Sequence, residues 1–73
     1  MSHATIRATL VPEISRLIAG KYDISEKEAL DRFYTSETGA SFSDDETGLY
    51  GQSALYIFGL FMEEMSKKIN FHQ

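Results

Sequence analysis

From Ser53 onward the chain is apolar nearly all the way round a helix, and this stretch constrains the fold more than any other. Leu55, Phe58, Met62, Met65 and Ile69 recur at helical spacing, and Tyr56, Ile57, Leu60 and Phe61 widen that stripe to most of the circumference. Ser53 supplies the start, because a serine oxygen accepts one of the unpaired N–H groups of a first turn. Gly59 interrupts the run at a cost of about 1 kcal/mol relative to alanine. Such a residue is easier to understand where another backbone or a bulky side chain approaches closely. Beyond Met62 the helix turns polar: Glu63 with Lys67 and Glu64 with Lys68 are spaced four apart in the favourable order, and Lys67-Lys68 lies near the negative end of the dipole.

A helix this apolar needs covering, and the rest of the chain has little to cover it with. The 73 residues make one domain, 1–73. A domain of that size buries only about 60% of the surface its unfolded chain exposes. With 42% hydrophobic and 25% charged residues the balance is that of a globular chain. There is no cysteine, which excludes disulfides, thiolate metal sites and thiol nucleophiles. Association, with itself or with another protein, is the remaining way to supplement a small core.

Two shorter helices are expected before the apolar one. Ile6, Leu10, Ile14 and Leu17/Ile18 form a stripe, but Pro12 lacks the N–H of a helix interior. The regular helix is therefore expected to begin near Val11 with Pro12 in its first turn, and to stop at Gly20. Residues 1–10 are either helix or an extended, flexible lead-in. Ser25-Glu26-Lys27-Glu28 fits a capping box, with Ile24 and Ala29 at the positions of a hydrophobic staple. Ala29, Leu30, Phe33 and Tyr34 then line one face, and this second helix should end near Thr35 or Ser36.

From Ser36 to Gln52 the periodicity disappears and Ser, Thr, Gly, Asp and Glu dominate, the pattern of an ordered loop. Ser43-Asp44-Asp45-Glu46 repeats the capping-box spacing before Thr47-Gly48, which predicts a single helical turn stopped by glycine. Phe42, Leu49 and Tyr50 are too large for a solvated linker, and at least two of them are expected on the core. The fold class is thus all-α: a small three-helix domain with a long ordered loop between its second and third helices.

Chemistry is sparse. Seven Lys and Arg against eleven Asp and Glu give a net charge of −4, without the basic stripe that nucleic-acid binding requires. No apolar run approaches the roughly 20 residues needed to cross a bilayer, and the opening residues lack a secretory pattern. The expected location is the cytoplasm. Asp44, Glu46 and Gly48 do not reproduce an EF-hand's ligand spacing. His3 and His72, near opposite ends, make a poor zinc site. No nucleophile–base arrangement and no phosphate-cradling glycine loop is present. Neither a catalytic residue, a metal nor a cofactor is expected.

The segment Ile24-Ser25-Glu26-Lys27-Glu28-Ala29-Leu30, then Phe33-Tyr34-Thr35-Ser36-Glu37-Thr38, Asp45-Glu46-Thr47-Gly48-Leu49-Tyr50 and Gln52-Ser53 before Tyr56-Ile57-Phe58, resembles a group of short uncharacterised bacterial proteins. These share the pattern F-Y-x-S-x-T, an acidic turn, then E-T-G-L-Y-x-Q-S. The resemblance spans about Pro12 to Glu64. Members often carry a proline where this chain has Ala54. It implies no activity or cofactor, only a small bacterial cytoplasmic accessory protein, such as the partner of a toxin encoded nearby.

Two functional readings follow. In the first, the chain is a non-enzymatic interaction module, a homodimer or a subunit of a larger assembly. Its candidate interface is Tyr50, Tyr56, Leu60 and Phe61, because tyrosine and exposed apolar patches mark protein contacts. In the second, the 36–53 loop binds a small molecule or regulator, with Tyr34, Ser36, Thr38 and Gln52 as the candidate site. The opposing possibility for those hydroxyls is that they cap helices and turns.

Overall fold

The computed structural model describes the backbone of residues 3–71 and the side chains of residues 5–67. The described residues are all-α, as expected, but they form four helices rather than three: α1 (His3–Tyr22), α2 (Glu26–Tyr34), α3 (Glu37–Ser43) and α4 (Ala54–Phe71). Two 3-10 turns, Asp45–Thr47 and Leu49–Gly51, join α3 to α4. The expected long loop is therefore mostly helical. Helix α1 packs on α2 and α4, and α3 bridges α2 and α4. His72 lies outside the described residues, as does the side chain of His3.

Helix α1 overrides the proline signal. It begins before Val11 and carries Pro12 in its interior, with Pro12 on the exposed side. What holds the N-terminal half is tertiary contact: Leu10 and Val11 pack against the core, and the first half of α1 supplies Arg7 to the segment beyond α3. Gly20 does not stop the helix either. The chain continues to Tyr22, Asp23 takes φ 56°, and the Ile24 N–H donates to Ala19 O at 3.1 Å. That six-to-one bond across a left-handed residue is a Schellman stop, and the two apolar positions that flank such a stop, Ile24 and Ala19, both pack on the core.

Helix α2 starts as its capping residue predicts, the Ser25 side chain accepting from the Glu28 N–H at 3.1 Å. Glu28 itself pairs with Arg32 at 3.0 Å. Ile14 and Ile18 of α1, Ala29 and Phe33 of α2, Phe42 of α3, and Ala54, Ile57 and Phe61 of α4 make the buried core. Leu49, Phe58, Met62 and Met65 pack around it. Three aromatic rings form its centre, with Phe33 5.6 Å from Phe42 and 6.2 Å from Phe61. Phe42 and Leu49 thus both reach the core from the segment read as loop.

Candidate interaction surface

The first half of α4 divides into an inner and an outer face. Ser53 caps it, its Oγ accepting from the Tyr56 N–H at 3.1 Å. Ala54, Ile57 and Phe61 point inward. Leu55, at 66% exposure, and Tyr56, at 52%, point outward, with Leu60 half-buried and Gly59 exposed beside them. Two exposed large apolar side chains adjacent on one helix are the strongest candidate for a contact surface in the fold. Phe61, expected on this surface, is only 1% exposed. Its position one turn after Ile57 sets it on the inward stripe, and the ring is needed against Phe33.

Tyr50, also expected at the interface, is engaged within the fold. Its ring is half-buried beneath Arg7, whose guanidinium carbon lies 5.4 Å from the ring centroid. The same guanidinium donates from Nε to Phe42 O at 2.9 Å and pairs with Asp45. Arg7 therefore ties α1 to the end of α3 and to both 3-10 turns.

The residues of the proposed loop site gather only in part, and the hydroxyls of Ser36 and Thr38 are already engaged. Ser36 is buried, caps α3 by accepting from the Gly39 N–H at 2.9 Å, and donates to Phe33 O at 2.6 Å. Thr38 is buried too: its N–H and its hydroxyl both donate to Glu64 Oε1, at 2.9 and 2.7 Å, while the Glu37 N–H donates to Glu64 Oε2 at 2.9 Å. Tyr34, 48% exposed, stands at the end of α2. Gln52 is exposed and belongs to the other end of the segment, where its N–H closes on Leu49 O at 2.9 Å. Thr47 is exposed, yet its hydroxyl also turns back on the chain, shared between Ser41 O and Asp44 O.

The Lys68 side chain, the partner expected for Glu64 along its own helix, lies outside the described residues; Glu64 crosses to the positive end of α3, where a carboxylate meets the N–H groups of a first turn. Glu63 does pair with Lys67, at 3.9 Å. Among the described residues no group of three or more His, Asp or Glu side chains could hold a metal ion. No helix, among the described residues, is long and apolar enough to cross a membrane. No protein-family model matches the chain, and neither a curated protein nor a solved structure matches it.

Proposed function

We propose that this chain is a non-enzymatic, cytoplasmic interaction module that works through the outer face of α4. The observation that carries this reading is the pairing of Leu55 and Tyr56, both more than half exposed, beside half-buried Leu60 on one face of a helix. Leaving two such side chains in water forgoes burial worth about 1.5–3 kcal/mol for a residue such as leucine, and a partner would recover it. A chain without cysteine suits a reducing compartment. The accessory role implied by the resemblance, which spans about Pro12 to Glu64, is of the same kind. The competing small-molecule reading of the 36–53 segment draws less support, because Ser36, Thr38 and Thr47 direct their hydroxyls to the protein itself.

The test is site-specific photocrosslinking in the native host. A benzophenone side chain at Tyr56 is expected to give a discrete adduct, and the same group at exposed Lys27 on α2 none. Equal adduct patterns from the two positions, or none from position 56, would overturn the reading.

A further inference from the structure

The outer face of α4 carries a glycine that nothing among the described residues explains. Gly59 lies in mid-helix without positive φ, and a Cβ built there meets nothing within 4 Å. Alanine would fit and would favour the helix. The geometric consequence of glycine is a notch, flanked one turn earlier by Leu55 and Tyr56 and on the other side by Leu60 and Glu63.

The geometry points to a second copy of this chain as the occupant, its α4 crossing the first antiparallel at Gly59. This rests on the interaction-module reading and names its partner. A two-fold axis needs one patch that contains both halves of the fit, and here the ridge of Leu55 and Tyr56 and the notch of Gly59 belong to one helix face.

Charge selects the pairing and its direction. Each chain carries a net charge of −4, so two copies repel unless they meet on a face without net charge. The described charges on this face are Glu63 and Lys67, which pair with each other. An antiparallel crossing at Gly59 brings Glu63 level with Leu55 of the second copy. That is the positive start of the helix, where Ser53 Oγ holds the Tyr56 N–H and the Ile57 N–H closes on Ser53 O. A parallel pairing would instead set Glu63 against Glu63.

Sedimentation equilibrium of the full chain across a dilution series tests this. The wild type is expected to move from one to two copies with concentration. Gly59→Leu fills the notch and Leu55→Glu charges the ridge. Both should weaken association by at least about tenfold while keeping the helical circular dichroism of the wild type, since both positions face solvent. The cysteine-free chain also permits a directional readout: under oxidation a mixture of Leu55→Cys and Glu63→Cys should cross-link more than either alone. A wild type monomeric at every concentration overturns the self-pairing, as does a dimer indifferent to Gly59→Leu. A stronger cross-link from Leu55→Cys alone overturns the antiparallel direction. A monomer whose position 56 still captures a discrete host protein would leave the interaction reading standing and remove only the second copy.

Discussion

The Glu64 carboxylate of α4 takes both hydrogen-bond donors of Thr38, its N–H at 2.9 Å and its hydroxyl at 2.7 Å, and with them the Glu37 N–H. It is a cap supplied from a distance: Ser36 serves one N–H of α3 locally, and Glu64 serves two more across the fold. Hydrogen bonds to a charged group contribute about 1.5–3 kcal/mol, less where solvent reaches them. Glu64→Ala should therefore destabilise the protein by about 2 kcal/mol, a fall in Tm of roughly 8–15 °C for a domain of this size. Glu64→Gln, which retains one acceptor oxygen, should lose about half of that. A double-mutant cycle with Thr38→Val checks the assignment, with a coupling of about 0.5–1.5 kcal/mol expected. Additive losses would show that the contact contributes nothing.

Gly39 marks the tightest point of the same corner. A Cβ there would stand 1.9 Å from Phe33 O and 2.8 Å from Phe33 C. Both are backbone atoms at the end of α2, so no side chain can swing aside. Alanine is the better helix former by about 1 kcal/mol, yet Gly39→Ala is expected to destabilise by about 3 kcal/mol or more, because α2 and α3 must separate. Urea denaturation decides the sign.

This corner shows why the sequence was legible in some places and not in others. Signals contained in one turn came through: Ser25 and Ser53 cap the helices they precede, and Gly48, at φ 70°, stops the turn after Asp45 as expected. Even there the capping side chain is Asp44 rather than Ser43, since Ser43 is still in α3. The seven residues of α3 have no apolar stripe, because the short helix buries Thr38, Gly39 and Phe42 and is held by Ser36 and Glu64. Its strongest support lies in α4, beyond the reach of any local pattern. Pro12 failed as a helix start for the same reason, since contacts made by Leu10, Val11 and Arg7 outweigh a local penalty. For the candidate surface, composition found the apolar excess of α4, but only the helical phase fixed by the core separates outward Leu55 and Tyr56 from inward Phe61.

The end of α1 yields two substitutions of predictable sign. Gly20 is exposed inside the helix, with nothing within 4 Å of a built Cβ. Gly20→Ala should stabilise by about 1 kcal/mol. Had Gly20 been the left-handed stop, the same change would cost stability. Asp23 does occupy the left-handed region, at φ 56°, where a Cβ is strained. Asp23→Gly should therefore stabilise by about 0.5–1 kcal/mol, part of the gain being offset by the greater freedom of glycine in the unfolded chain. Thermal melts of the two single variants measure both.

Arg7 joins three groups that the sequence scatters: Phe42 O at 2.9 Å from its Nε, the Asp45 carboxylate, and the Tyr50 ring. Asp45 is 63% exposed, so its ion pair contributes no more than about 1 kcal/mol and weakens with salt. The part-buried hydrogen bond to Phe42 O and the short-range ring contact are screened much less by salt. Arg7→Ala should cost about 1–2 kcal/mol in all, with the larger part surviving at high ionic strength. Arg7→Lys keeps the charge but not the planar fork, and should recover less than half. The loss should be local before it is global. Amide hydrogen exchange at Thr47, Gly48, Gly51 and Gln52, whose N–H groups close the two 3-10 turns, is expected to accelerate while the amides of α2 keep their protection. Uniform acceleration across the chain would instead place Arg7 in the global core and remove its role as the fastening of this segment.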